Sequence, residues 1–245
     1  MKQRKFLIVF RSILRILVFP MLICQILAGK TGYVYLCVLT LVLMELPGWT
    51  ERRLGVAFPG TMEALLLLFI FSSEILGEIR GCYVRYPCWD LILHGFSGFF
   101  FASVGYVLPE LTDRLGSGEK CTFRLIFAVC FSLSVGVLWE FVEWGADAVF
   151  GLDMQKDSVI NTLHSVCLSP GEENRVGILC NIRKTVMILA DGSIRTMEGY
   201  LDIGLHDTME DLLADLAGAA VFGFLSRGKF FAANMIPKFV GKEER

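Results

Sequence analysis

The sequence predicts an all-α fold, a polytopic transmembrane helical bundle of about six spans with a small extracytoplasmic loop that contains a β-hairpin. Two observations lead there. Hydrophobic residues make up 54% of the 245, above the roughly 45–50% of soluble domains, and mean hydropathy is +0.58. Those residues are also gathered into runs. Several approach the roughly 20 residues that a hydrocarbon core about 30 Å thick asks of a helix.

The first run is Leu7 to Ala28, preceded by Lys2, Arg4 and Lys5 and interrupted early by Arg11 and Arg15. A signal peptide shares that charge pattern, but only Gln25-Ile26-Leu27-Ala28 stands where a small-residue cleavage site belongs, so a retained span is expected. The second run, Thr31 to Leu46, is the shortest and ends at Pro47-Gly48. The third extends from Pro59, a residue suited to a helix start, to about Gly77. The fourth is Cys88 to Leu108, ended by Pro109; the fifth is Phe123 to about Trp144; the sixth is about Thr208 to Leu225. The expected organisation is therefore spans one to five in residues 1–144, a loop insertion in 145–206, and a sixth span with a basic tail in 207–245. Within the insertion, Thr185–Leu189 and Ile194–Met197 flank Asp191-Gly192. That dipeptide favours a two-residue hairpin turn; an irregular outer loop is the alternative.

Loop charge sets the expected orientation, since short cytoplasmic loops carry the excess of Lys and Arg. With the N-terminus inside, fifteen basic residues fall on the inner side, in 2–15, 52–53, 114–124 and 227–245. Lys30, Arg80 and Arg85 fall in short outer loops, and five more lie in the long insertion, which counts little. Both termini are expected in the cytoplasm. The formal net charge of −2 gives no reason to expect a nucleic-acid partner. Membrane lipid is the partner that the composition implies.

Eight cysteines form no C-x-x-C pair, which argues against a zinc ribbon. Cys24, Cys37 and Cys130 read as small buried hydrophobes. Cys82 with Cys88, and Cys167 with Cys180, face the side where each pair could close a small disulfide loop; four free thiols is the other reading.

A charge inside a span costs about 2.5–3.5 kcal/mol at the helix centre by insertion scales, so the polar residues of the spans carry information. Asp90 and His94 are i and i+4 in the outer part of span four, with Gly95 and Gly98 leaving room for a neighbouring helix. Glu140, Glu143 and Asp147 share one face at the outer end of span five. Asp207, Asp211 and Asp215 repeat every four residues into span six, near Gly218, and Glu74 and Glu78 close span three. Carboxylates on three or four helices thus reach one depth together with one histidine. Oxygen-rich surroundings with one imidazole suit a divalent cation such as Mg, Mn, Ca or Zn. Interfacial solvation and the helix dipole offer a plainer account, strongest for Asp207 and for Glu74 and Glu78. Trp89, Trp139 and Trp144 suit an interfacial belt.

The stretches Trp89-Asp90-Leu91-Ile92-Leu93-His94-Gly95-Phe96-Ser97-Gly98, Trp139-Glu140-Phe141-Val142-Glu143-Trp144 and Asp207-Thr208-Met209-Glu210-Asp211, continued by Leu212 to Gly218, resemble the YjdF-like family of uncharacterised bacterial inner-membrane proteins. More loosely they are similar to VanZ-like membrane proteins. Leu212 stands where the YjdF-like pattern has methionine, and the loop from about Val159 to Asp202 is longer than that pattern. The resemblance implies a multi-pass protein of the bacterial cytoplasmic membrane and the location of a site, and it supplies no reaction.

The expected site is an outward-facing cluster of His94, Glu140, Glu143, Asp207 and Asp211. His94, Glu140, Asp207 and Asp211 are its candidate ligands for a divalent cation, and Glu140, Glu143 and Asp211 its candidate catalytic carboxylates. One reading is an enzyme of the cell envelope, in which a metal or a carboxylate pair activates water or a hydroxyl against a lipid-linked or peptidoglycan-related substrate. Another is a cation- or proton-coupled transporter. A third is a structural cluster that only holds helices together.

Overall fold

The computed structural model describes residues 2–109, 120–169, 175–228, 231 and 234–239. Arg114, Lys229, Lys242 and Arg245, counted above on the inner side, lie outside them. The chain forms two compact units, residues 1–137 with 211–245, and residues 138–210.

The first unit is helical, because its runs are apolar and largely free of internal breakers. Helix α1 covers Lys2–Leu27 and α2 covers Thr31–Leu43; α3 (Leu46–Leu54) follows at a bend of 40°. The expected second span is thus a broken one: Pro47 sits in the first turn of α3, where proline starts a helix more readily than it continues one. Strand β1 (Val56–Ala57) leads to α4 (Gly60–Phe71), which runs on as a π-helical turn from Ser72 to Ile79. The expected third span is therefore two joined pieces. Gly77 lies under the Tyr83 ring, where a Cβ would overlap it. A short α5 (Cys82–Arg85) precedes α6 (Trp89–Val107). Helices α7 (Lys120–Phe150) and α8 (Leu205–Leu225) follow.

Lys5–Leu27, Trp89–Val107 and Thr122–Phe150 are long and apolar enough to cross a membrane, and Thr31–Leu43 with Leu46–Arg53 makes a fourth if the bent pair is one span. Two expected spans fall short for physical reasons. Helix α8 carries Asp207, Glu210, Asp211 and Asp215. Helix α4 ends after 12 residues, where the π turn begins.

Leu14, Val18, Cys37, Met44, Leu67, Ile70, Phe71 and Ile75 form one core among α1, α2, α4 and the π turn. Arg11 pairs with Glu63 and Arg15 with Glu45, so the two arginines in the apolar entry of α1 meet carboxylates of neighbouring helices. Outward-facing Ile8, Ile13, Ile16, Ile23 and Ile26 on α1 are about half exposed or more, as expected of a surface that hydrocarbon covers.

A second core joins α6, the first part of α7 and α8 through Ala102, Ala128, Ala219 and Phe222. Here helices meet without intervening side chains. A Cβ on Gly98 would overlap the Asp215 carbonyl and Cα; one on Gly218 would overlap the Gly95 carbonyl and lie 2.8 Å from the Phe99 nitrogen. The Ser132 hydroxyl donates to the Gly98 carbonyl at 2.7 Å, and Phe99 meets Phe222 edge-on at 5.7 Å. Without a hydrophobic drive between helices in lipid, such close packing supplies the attraction. Strand β8 (Lys238–Phe239) pairs antiparallel with β1, so the chain beyond α8 is tied to the start of α4.

The second unit holds the end of α7, the start of α8 and three small antiparallel ladders. Strand β2 (Ser158–Ile160) pairs with β7 (Tyr200–Asp202), β3 (Leu163–Ser165) with β4 (Gly177–Leu179), and β5 (Lys184–Ile188) with β6 (Ile194–Glu198). The β5–β6 ladder is the hairpin expected around Asp191-Gly192. Its loop is one residue longer than a two-residue turn: Leu189 donates to the Ser193 carbonyl at 2.9 Å, and Ala190, Asp191 and Gly192 lie between them. Gly192 has φ +81°, as a type I turn closed by a left-handed residue requires. Asp147 fastens the end of α7 by accepting the Met154 and Gln155 amides at 2.7 and 2.8 Å. Cys82, Cys88, Cys167 and Cys180 are free thiols.

This packing makes two predictions. Gly98→Ala should lower the thermal midpoint in detergent, an overpacking cost of about 1–3 kcal/mol. Gly95→Ala should hold or raise it, because its Cβ would meet only the Ala214 carbonyl at 3.8 Å while alanine favours helix by about 0.5–1 kcal/mol. Equal effects of the two would refute the close contact. Separately, Asp147→Ala should speed hydrogen exchange at Met154 and Gln155, each bond to a carboxylate contributing about 1.5–3 kcal/mol. Unchanged protection there would show that the carboxylate does not hold this turn.

Candidate functional site

His94 is the sixth residue of α6 and is buried, with 6% of its surface exposed. Three carboxylates surround it. Nε2 lies 3.8 Å from Asp90 Oδ1, one turn earlier on the same helix, and 3.6 Å from Asp211 Oδ2 on α8. Nδ1 lies 3.5 Å from Asp215 Oδ2, one turn further along α8. Asp211 and Asp215 are each 1% exposed. The i, i+4 spacing on each helix stacks each pair on one face, and the glycine contact brings the two faces together.

Asp215 is the most firmly placed of the three. Its backbone lies against Gly98, a Cβ on Gly136 would overlap its carboxylate, and its Oδ1 accepts the Ser97 hydroxyl at 2.5 Å. That hydroxyl also stands 2.9 Å from the His94 carbonyl. Asp215 is midway along α8, so the cluster reaches deeper than the helix ends to which the polar residues were assigned from sequence.

The separations carry chemical meaning. Direct hydrogen bonds between an imidazolium and a carboxylate are about 2.7–2.9 Å long, and none of these contacts closes to that length. Two ligands each about 2.1 Å from a shared zinc ion at a tetrahedral angle stand about 3.4 Å apart. The distances from Nε2 to Asp211 and Asp90 are close to that edge. One ligand atom each from Asp90, His94 and Asp211 lie within 4.8 Å of one another. Asp215 stands 3.5 Å from the opposite nitrogen, on the side where a metal-binding histidine usually donates its other ring N–H to a carboxylate.

Of the expected site residues, His94 and Asp211 come together. Asp90 and Asp215, noted only as members of polar stripes, and Ser97, given no role, join them. Asp215 was marked by the four-residue repeat 207, 211, 215; Ser97 had no signal beyond its place one turn from His94 and two from Asp90. Glu140 and Glu143 share a face of α7, are 4% and 6% exposed, and bring carboxylate oxygens within 4.8 Å of each other. Trp139 Nε1 donates to Glu143 Oε1 at 2.8 Å. Asp207 accepts the Lys156 amide at 2.8 Å and so anchors the chain after α7. Tyr83 shares a 3.3 Å contact between hydroxyls with Ser73. Burial pushes its phenol well up, Ser73 opposes this, and the charges of Asp90, Glu78 and Glu74 add to it; the group stays protonated.

No curated protein and no solved structure matches the chain. One family model does, described as "Predicted membrane protein (DUF2238)", over residues 10–228. The YjdF-like group named above is the same family, and with nearly all of its length matched the chain belongs to it.

Proposed function

We propose that this membrane protein binds a divalent transition-metal ion at His94, Asp90 and Asp211 and uses it on a substrate of the cell envelope. One observation carries the reading: His94 is backed by Asp215 on one ring nitrogen and faces two carboxylates on the other, at separations suited to a shared ion rather than to direct hydrogen bonds. One imidazole among carboxylates favours zinc or manganese over calcium and magnesium, which prefer oxygen alone. A bound ion would offset the repulsion among the buried carboxylates of Asp211 and Asp215 and the partly buried one of Asp90, and would lower the pKa of a bound water, giving a nucleophile at neutral pH. Glu140 and Glu143 are the proposed acid–base pair. Carboxyl groups on one face of a helix suit proton transfer to a leaving group. Asp207, committed to the Lys156 amide, is proposed as an anchor.

The reading includes a bacterial cytoplasmic membrane, six spans, two cytoplasmic termini, a site reached from the outer side, and a lipid-linked or peptidoglycan-related substrate. The β1–β8 pairing supports the topology, since it ties the chain end to the end of the bundle where α4 begins. The domain division at 144 and 206 belongs to the same proposal.

Calorimetric titration of the full chain in detergent with Zn²⁺ and Mn²⁺ tests the metal. The wild type should bind one ion, more weakly as pH falls because protons compete for the imidazole. His94→Ala and Asp211→Asn should abolish binding, and Asp215→Asn should weaken it about 10–100-fold. Binding that survives His94→Ala, or no binding by a folded wild type, would leave the cluster as an ion pair that holds helices.

A further inference from the structure

The bundle has a second feature, outside the His94 cluster. Between the first turns of α1 and of α4 lies a groove of about 270 Å³, roughly nine water volumes at ~30 Å³ each. Phe6 and Phe10 form its α1 wall; Thr61, Ala64 and Leu68 lie on its α4 wall, where Thr61 adds a hydroxyl. The wall of α4 is low because Gly60, Thr61 and Ala64 are small, and this opens the space. Arg11 and Glu63, on the same stretches of the two helices, pair with each other.

Basic side chains collect at the end where both helices begin. Lys5 is exposed and directly precedes Phe6. Arg52 and Arg53 are exposed in the last turn of α3, and β1 carries the chain from there to Pro59 and Gly60. Lys238 is exposed on β8, opposite Ala57 of β1. Acidic Glu51 precedes the two arginines on α3 and offsets one of these charges.

We propose that this groove binds an anionic phospholipid of the surrounding bilayer, with an acyl chain against Phe6, Phe10, Ala64 and Leu68 and the phosphate against Lys5, Arg52 and Arg53. Water does not drive a chain from lipid into such a groove, since bilayer and groove are equally apolar. Shape fit and headgroup charge must do so. The charge selects an anionic lipid over a zwitterionic one. It also disfavours a second copy of the chain, because a two-fold pairing across the groove would set one basic collar beside another.

The test uses the full chain in phosphatidylcholine vesicles carrying a trace of a lipid with a photoreactive acyl tail, bearing either a phosphatidylglycerol or a phosphatidylcholine headgroup. Crosslinked peptides are identified by mass spectrometry. The phosphatidylglycerol probe should label residues 6–10 and 61–68 several-fold more than its phosphatidylcholine counterpart. Ala64→Trp, which fills the groove, should remove labelling by both. The exposed substitutions Lys5→Gln, Arg52→Gln and Arg53→Gln should each lower the headgroup preference, by roughly fivefold for a basic residue lost near the surface. Since they touch no core, they keep the test decisive if Ala64→Trp does not fold. Equal labelling by the two probes, labelling as strong at Ile126 on the exposed face of α7, or crosslinks between two chains at Phe6 or Phe10 would each overturn the proposal.

Discussion

The contact of the α6 and α8 backbones at Gly98, Asp215 and Gly218 governs the centre of this bundle. No side chain separates the two helices there, and Gly136 on α7 leaves space for the Asp215 carboxylate. In hydrocarbon the gain from such packing is dispersion at short range, which small residues permit and a single methyl group removes. The same contact sets the position of two charged groups. Asp211 and Asp215 face His94 only because α8 lies this close to α6, so packing and polar chemistry rest on the same glycines.

That arrangement has an electrostatic consequence. Asp211, Asp215 and His94 are all buried, Asp90 stands beside them, and one imidazolium would balance only one of three carboxylates. Buried charge is expensive, and proteins resolve it by protonation, by pairing or by binding a cation. Ser97 gives Asp215 one hydrogen bond, which relieves part of the cost. A divalent ion at Nε2 would relieve more, and would turn a liability of the bundle into its working part.

Much of this is legible in the amino-acid sequence. Helix α6 falls where its apolar run places it, just ahead of Pro109, while α7 runs six residues past the expected end at Trp144 and α8 begins at Leu205, ahead of the expected Thr208. Gly95, Gly98 and Gly218 stand beside the polar stripes, and the stripes themselves follow from spacing. Three things are not legible there. The π turn after Phe71, and the resumption of the second run as α3 beyond the break that Pro47 marks, depend on how each run packs, which hydropathy does not encode. Adjacency of α6 and α8 is beyond periodicity, which identifies the face of a helix and leaves open the neighbour it meets. The separate tasks of Asp207 and Asp215, equivalent in a four-residue repeat, arise from their partners: Asp207 meets the Lys156 amide, and Asp215 meets His94 and Ser97.

Residues 138–210 are a different kind of structure, three short ladders and helix ends fastened by carboxylates on backbone amides. Asp147 and Asp207 both serve this way, and neither resembles the histidine-centred cluster in chemistry. The central claim concerns that cluster, and X-ray absorption at the zinc edge of the loaded full chain tests it most directly. A coordination shell of one imidazole nitrogen and carboxylate oxygens at about 2.0–2.2 Å, losing its imidazole signature in His94→Ala, is the result the account predicts. An oxygen-only shell that His94→Ala leaves unchanged would contradict it.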